Sequence, residues 1–505
     1  MLDYLDSTTM PSTCNGLPAT RRYSTLITLL LLAPAALAQP QPTDVESRIA
    51  RVEHGLSSPI KVKGQTQQKM TLAERMAFHD VPAVSIALIN NQRIEWARAY
   101  GVLEPGSTRA ATPGSLFQAG SVSKTVAALG ALRLVEQGRL SLDAPANTLL
   151  RHWKIPDDTF TAQQPVTLRS LLNHSAGTNV HGFFGYAQGE PLPTLLQILQ
   201  GAPPANSDPV RVEATPGSAW SYSGGGYTVV QQMMADAATQ PYPQLIQQLV
   251  LEPLKMRDSS YATDLPPALR ARAAHAHPSD GQPVPGGWRV YPEAAAAGLW
   301  TTASDLAKVV LEVQQDGQGA PGKVLSSTMA RQMLTRIKGD YGLGLYVAPI
   351  GAGTSFAHTG GTHGFRAQIQ GYTHTGQGIV VLTNSDSGAA LVDEILVSVA
   401  AEYGWPEFQI IEKSALAPDP ALDADVAGDY VLMDAPARVT REGDRLFFQC
   451  DLFGARPMEL FRQSSRGYFM TAQDMTIAFA AATAGKVPGF ELKRGATTYP
   501  ATRKE

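Results

Sequence analysis

A serine and a lysine three residues apart form the first candidate reactive pair of the chain. Ser121 and Lys124 stand at the start of an amphipathic pattern, Val122 to Gln137, that ends at Gly138 and predicts a helix. At this spacing both side chains project from one face of the helix. A partly desolvated lysine can remove the proton from a serine hydroxyl, because burial disfavours the ammonium form. Ser-x-x-Lys also occurs by chance and Ser121 could be a helix cap, so the pair alone leaves both interpretations open.

Two further segments could complete a hydrolytic site. Tyr222 precedes Gly224-Gly225-Gly226, and glycines suit a loop that presents a phenol to a cleft. A phenolate near a lysine could carry a proton between Ser121 and a leaving group, although a core tyrosine before a flexible turn is the alternative. The segment from Phe356 to Phe365 could form the opposite wall of the cleft. A strand there would offer one N–H opposite that of Ser121, and the two together would make an oxyanion hole.

Taken in order, the three segments resemble the serine β-lactamase and penicillin-binding-protein-like superfamily. The nearest branch contains class C β-lactamases, esterases and D,D-peptidases. The match consists of Ser-x-x-Lys at Ser121, the Tyr-x-Asn position at Tyr222 and a Lys/His-x-Gly strand at His358. Flanking segments agree, namely Val166–Gly177, Leu251–Met256 and Ala297–Leu306. The resemblance extends from about Val81 to Val399, which predicts a shared fold and site.

The resemblance implies a role for each matched residue. Ser121 would be the acylated nucleophile, Lys124 its proton partner, and Tyr222 the general base that also activates water for deacylation. His358 would line the site and orient the substrate, where it could meet a carboxylate, whereas His174 is interpreted as structural. The predicted site thus comprises catalytic Ser121, Lys124 and Tyr222, oxyanion-hole backbone N–H groups of Ser121 and Gly361, and substrate-binding His358, Thr359, Gly360 and Gly224.

One position departs from the family pattern and bears on the substrate. Gly224 stands where the family has an asparagine, whose amide would hold the acyl-amide group of a β-lactam. Deleting such a hydrogen bond costs about 0.5–1.5 kcal/mol. We therefore expect an exported hydrolase of esters or of amides with D-residues. The alternatives are a class C-like β-lactamase and a non-hydrolytic penicillin-binding module of the cell envelope.

The order of predicted elements indicates an α+β fold followed by a small antiparallel β-barrel. Strand patterns at Ala83–Asn90 and Arg93–Gly101, and again at Phe365–Tyr372, flank an all-helical middle, so the first and last segments should share one sheet. The resemblance implies a β-lactamase-like sheet domain with a helical subdomain, residues 39–412. Pro418 and Pro420 mark a linker, 413–422, and alternating patterns predict a barrel at 423–505. This barrel resembles a lipocalin-like module.

The N-terminus carries the features of a secretory signal peptide over residues 1–38. Arg21-Arg22 precede an apolar stretch at 23–35, and Ala36-Leu37-Ala38 forms a small-x-small cleavage site. The true start, Met1 or Met10, stays open. No later apolar run is long enough to span a bilayer, so the mature chain is expected without a membrane span, in the periplasm or secreted.

Charge and cysteine content limit the kinds of ligand and cofactor that we expect this protein to bind. The 505 residues contain 41 basic and 44 acidic side chains and carry a net charge of −3, which argues against nucleic-acid binding. Of the two cysteines, Cys14 would leave with the signal peptide and Cys450 would remain alone, so no disulfide framework or cysteine zinc site is expected. The pair His275 and His277 lacks a third ligand. We expect no cofactor and no metal, a small-molecule or peptide substrate, and an oligomeric state left open.

Overall fold

A computed structural model describes residues 42–317, 322–432, 435–453, 456–482, 486–494 and 497–504. The helices are α1 (Pro42–Glu53), α2 (Leu72–Phe78), α3 (Ser123–Glu136), α4 (Ala146–Leu149), α5 (Thr159–Gln163), α6 (Leu168–Leu172), α7 (Leu195–Gln200), α8 (Gly224–Ala238), α9 (Tyr242–Ile246), α10 (Pro267–Arg270), α11 (Ala294–Ala297), α12 (Ala303–Gly317), α13 (Ser327–Met333), α14 (Gly388–Tyr403) and α15 (Pro420–Val426).

The strands follow the same chain order. They are β1 (Ile60–Val62), β2 (Ala83–Asn90), β3 (Arg93–Gly101), β4 (Phe117–Gln118), β5 (Trp300–Thr301), β6 (Tyr346–Ile350), β7 (Gly353–Thr362), β8 (Phe365–Tyr372), β9 (Gly378–Thr383), β10 (Ile411–Lys413), β11 (Gly428–Leu432), β12 (Ala435–Glu442), β13 (Arg445–Cys450), β14 (Met458–Arg462), β15 (Gly467–Met470), β16 (Met475–Phe479), β17 (Gly489–Arg494) and β18 (Thr497–Arg503).

A six-stranded antiparallel sheet joins the beginning and the end of the larger part. Its strand order is β3-β2-β9-β8-β7-β6, so the expectation that early and late strands share one sheet is confirmed. Alternate residues of β2 face opposite sides of this sheet. Val84, Ile86 and Leu88 pack in a core with α14, while Ala87 and Ile89 belong to the core shared with the helical part.

Between β3 and β6 the described residues form helices joined by loops, and the two strands named there, β4 and β5, form one short ladder. In that ladder Phe117 pairs with Thr301 and Gln118 with Trp300, which ties β4 to β5. Helix α3 follows β4 after one tight turn and packs against α8 and α11. It is buried from Ser123 to Leu132. Because this part of the helix is buried on every side, Lys124 in its first turn lies in the interior.

The C-terminal strands β11 to β18 close into an eight-stranded antiparallel barrel, as expected for this part. Its outer face contacts the larger part through Phe469, which packs with Ile60 and Val62 of β1. Lys413 adds an ion pair with Asp474 at 2.7 Å. Strand β10 and helix α15 lie at the two ends of the segment expected to be a linker. The domain boundaries at 412 and 423 stay predictions.

The expected signal peptide, residues 1–38 with Cys14, lies outside the described residues. In the part of the chain that the structure describes, no helix combines the length and apolar character needed to cross a bilayer. Cys450 is buried inside the barrel.

Candidate active site

Ser121 lies in a tight turn, and the close packing around this turn requires glycine at two positions, Gly120 and Gly360. The turn, Gly120–Val122, is a 3-10 turn between β4 and α3. Gly120 has φ +51°, and a Cβ there would lie 2.6 Å from the backbone N of Gly361. A Cβ on Gly360 would lie 2.0 Å from the carbonyl oxygen of Ala119. Strand β7 therefore passes in direct contact with the turn, because neither glycine has a side chain to separate them.

Lys124 projects from the first turn of α3 onto Ser121. Its Nζ is 3.0 Å from Oγ of Ser121 and 2.9 Å from the carbonyl oxygen of Ala296 in α11. The side chain is 2% exposed, and burial lowers its pKa from 10.5 to about 7. An amine with this pKa is substantially neutral near pH 7, so it can accept the proton of the Ser121 hydroxyl.

Tyr222 completes the group at the N-terminal end of α8. Its ring centroid lies 4.9 Å from Nζ of Lys124, and the side chain is partly exposed. Burial raises the pKa of Tyr222 above its usual 10, although a hydrogen bond with Ser121 lowers it. The phenol therefore stays protonated near neutral pH in the free protein. Of the two groups, neutral Lys124 is the better proton acceptor, and Tyr222 is better placed to relay a proton.

The three glycines after Tyr222 do not form the expected loop. They are the first turn of α8, where Oγ of Ser223 accepts a hydrogen bond from the backbone N of Gly226 at 2.8 Å. A Cβ on Gly225 would lie 2.9 Å from the carbonyl oxygen of Asn179, and one on Gly224 would meet Phe183. Gly224 and Gly225 thus stand in close packing at the start of a helix, so the expectation of a loop that presents the phenol was wrong for this segment.

A cluster of aromatic rings packs against Tyr222. The rings of His174 and Tyr222 are 4.3 Å apart, and Nδ1 of His174 accepts a hydrogen bond from the backbone N of Ser223 at 3.1 Å. Further rings in contact with this cluster are Trp220, Tyr227, Tyr341 and Tyr346. Apart from Trp220 and Tyr227, which adjoin the Tyr222 motif, nothing local in the sequence marks these residues, because their rings meet only through the fold.

The side chain of His358, on β7, is buried and is not exposed on the surface of the expected cleft wall. Nε2 lies 2.8 Å from the hydroxyl of Tyr341, and Nδ1 lies 2.6 Å from the carbonyl oxygen of Thr359. Burial, followed by the charge on Lys124, lowers the pKa of His358 to about 3. A neutral imidazole with both nitrogens bonded cannot supply a positive charge for a substrate carboxylate. Thr359 and Gly361 are the exposed residues of this stretch of β7, while Gly360 is buried.

Known proteins of similar sequence and fold indicate the family of this chain. The family model for Beta-lactamase matches residues 69–402. Penicillin-binding protein 4* of Bacillus subtilis is 23% identical over 81% of this chain and 91% of its own length. Esterase EstB of Burkholderia gladioli is 31% identical, over 41% of this chain and 52% of its own length.

Two solved structures share the fold. The octameric penicillin-binding protein homologue from Pyrococcus abyssi matches with a TM-score of 0.56 at 21% identity, over 85% of this chain and 98% of that one. D-amino acid amidase from Ochrobactrum anthropi gives 0.55 at 22% identity, over 72% and 99%. The family match covers the sheet, the helical part and the candidate residues Ser121, Lys124 and Tyr222. The chain therefore belongs to the Beta-lactamase family and is a serine hydrolase.

Proposed function

We propose that this protein hydrolyses carboxylic esters, or amides of D-residues, through an acyl-enzyme on Ser121. The observation that carries the proposal is the 3.0 Å approach of Nζ of Lys124 to Oγ of Ser121, together with a Lys124 pKa of about 7. A nucleophile and a base within hydrogen-bond distance are the minimum for covalent catalysis by serine.

In acylation, Oγ of Ser121 attacks the substrate carbonyl carbon while its proton passes to neutral Nζ of Lys124. The carbonyl oxygen becomes an oxyanion that accepts hydrogen bonds from the backbone N–H groups of Ser121 and Gly361. The bond to the leaving group then breaks. The leaving alcohol or amine takes a proton from the phenol of Tyr222, which recovers one from the Lys124 ammonium.

Deacylation runs this proton path in reverse, with water as the nucleophile. A water molecule attacks the acyl carbon and passes a proton through Tyr222 to Lys124. The tetrahedral intermediate collapses to release the carboxylic acid, and the proton returns to Oγ of Ser121. Each group ends in its starting state, so no cofactor enters the cycle.

Gly224 favours esters over β-lactams. No side-chain amide stands at this position, so an acyl-amide group would lose a hydrogen-bond partner there. Relatives named as an esterase and as a D-amino acid amidase are compatible with both proposed substrate classes. Relatives named as penicillin-binding proteins keep β-lactam hydrolysis and non-hydrolytic penicillin binding as the alternatives.

The test begins with covalent labelling of the purified protein by a fluorophosphonate. We expect labelling of the wild type and of the matched control Ser218→Ala, an exposed serine, but none of Ser121→Ala. Labelling that persists in Ser121→Ala would contradict the assignment of the nucleophile.

A substrate panel on the same sample separates the alternatives. We expect turnover of short p-nitrophenyl esters or of D-residue amides, with much slower hydrolysis of a chromogenic cephalosporin. Faster cephalosporin hydrolysis would favour a β-lactamase. A stable penicillin adduct without turnover of any substrate would favour a binding module.

Export is proposed on the features of residues 1–38. Cleavage after Ala38 would give a mature chain that begins at Gln39. N-terminal sequencing of the protein from a periplasmic fraction or culture medium tests this, and a chain that still starts at Met1 or Met10 would contradict it.

A further inference from the structure

The space beside Gly224 is filled by an aromatic ring. A Cβ built on Gly224 would lie 2.9 Å from Cε2 of Phe183 and 3.4 Å from the carbonyl oxygen of His181. Any side chain at this position would therefore have to displace the ring. Gly224 is two residues beyond Tyr222 in the chain, so the ring of Phe183 lies against the same segment and presents hydrocarbon where a polar side chain could have been.

The loop that carries Phe183, residues 179–186, is bonded at its N-terminal end to the segment 222–225. The backbone N of Gly225 donates to the carbonyl oxygen of Val180 at 2.9 Å, and Oγ of Ser223 donates to that of Asn179 at 2.6 Å. Nδ1 of His181 lies 2.5 Å from the carbonyl oxygen of Tyr222 itself.

The C-terminal end of this loop is bonded to residues 289 and 290. Tyr186 and Val290 exchange two backbone hydrogen bonds of 2.8 Å. Nη1 of Arg289 donates to the carbonyl oxygen of Phe184 at 3.0 Å. With both ends held, Phe183 is half-buried against the core, whereas the neighbouring Phe184 is 73% exposed.

We propose that Phe183 determines substrate specificity, by lining the site beside Tyr222 with an apolar wall that selects esters bearing a plain hydrocarbon group. The inference rests on the proposed function and names its substrate class. An amide-bearing group placed against this ring would give up its hydrogen bonds to water without gaining a protein partner, which is unfavourable. A hydrocarbon chain there gains contact area with the ring.

The test compares kcat/KM for two series of esters. One series varies the acyl chain from acetate to hexanoate with p-nitrophenol fixed, and the other varies the alcohol with acetate fixed. The variants are Phe183→Ala, Phe183→Gln and the matched control Phe184→Ala, each checked by thermal unfolding. Two Phe183 variants are made so that one that fails to fold leaves the other to decide.

In the wild type we expect kcat/KM to rise with chain length in at least one series. Either Phe183 variant should reduce that preference for the longer chain by about tenfold, the scale of a methylene group or two in an apolar pocket. Phe184→Ala should change the preference less than twofold.

Two failures are distinguishable. If ester turnover depends on Ser121 but the chain-length preference is the same in wild type and both Phe183 variants, the inference about Phe183 is overturned and the proposed function stands. If the wild type hydrolyses no ester in a Ser121-dependent way, the proposed function itself fails, and the inference falls with it.

Discussion

The ionisation of Lys124 should control the pH dependence of the reaction. In the proposed acylation step, only neutral Nζ can take the proton from Ser121. Burial lowers the pKa of Lys124 from 10.5 to about 7, so the reactive form should appear as the pH rises through 7. We therefore expect kcat/KM for an activated ester to increase along a single ascending limb with an apparent pKa near 7.

The magnitude follows from the fraction of neutral amine. At pH 7 a lysine with an ordinary pKa is neutral in roughly one molecule in 3,000, whereas a pKa of about 7 makes it neutral in about half. Between pH 5 and pH 8 the neutral fraction of such an amine rises roughly a hundredfold, and kcat/KM should follow it. An unperturbed lysine would still be rising tenfold per pH unit at pH 9.

The assay is the initial rate of p-nitrophenyl butyrate hydrolysis well below KM, from pH 5 to pH 9 at constant ionic strength. The two buried histidines of the site do not confuse the result, because burial lowers the pKa of His358 to about 3 and that of His174 well below 6.5. Glu293 does need a control, since burial raises its pKa to about 7. Glu293→Gln should retain the ascending limb.

Three results would refute this reasoning. A profile that is flat from pH 5.5 to pH 8.5 would show that neutral Lys124 is not required. A limb that disappears in Glu293→Gln would assign the titration to the carboxyl group. Full activity in Lys124→Arg, whose guanidinium stays charged at every pH of the assay, would exclude proton transfer to residue 124.

Four further substitutions test other parts of the structure. Tyr222→Phe should lower kcat/KM about 10²- to 10⁴-fold with little change in the thermal midpoint, because proton relay is lost while the ring still packs; activity within threefold of wild type would contradict the relay. Lys124→Met should abolish activity yet raise the free energy of unfolding at pH 7 by up to about 4 kcal/mol, measured in urea. The sign follows because a lowered pKa destabilises the folded state below pH 10.5, so this gain should shrink as the pH approaches that value. Gly120→Ala should cost about 1–3 kcal/mol of unfolding free energy, since φ is +51° and β7 blocks the new methyl group; an unchanged urea midpoint would disprove that contact. Arg75→Met should cost about 3–5 kcal/mol at pH 7, because it leaves buried Glu394 without the guanidinium now 2.6 Å away, and a loss below 1 kcal/mol would contradict this.

Local patterns were sufficient for several elements and for the chemistry of the nucleophile. The strands expected at Ala83–Asn90 and Arg93–Gly101 are β2 and β3. The helix expected to begin beside Ser121 is α3, and its period places Lys124 within reach of the hydroxyl. These features depend on residues a few positions apart, so propensity and spacing contain most of the information.

Tertiary structure decided what those groups can do. The pKa of Lys124 depends on burial beneath α11, whose Ala296 lies 172 residues away in the chain. His358 loses its charge for a similar reason, because desolvation depends on everything packed around a group and not on its neighbours in sequence.

Gly224 shows the same difference between what local sequence indicates and what tertiary packing decides. From the sequence it signals a missing side chain and a loop or turn after Tyr222. In the fold it begins a helix, and Phe183 lies against it from a loop forty-one residues earlier. The sequence thus determined which reactive groups the protein carries and their order. Only long-range packing determined their protonation, their support and the surface that surrounds them, because burial and close contact are properties of the whole fold.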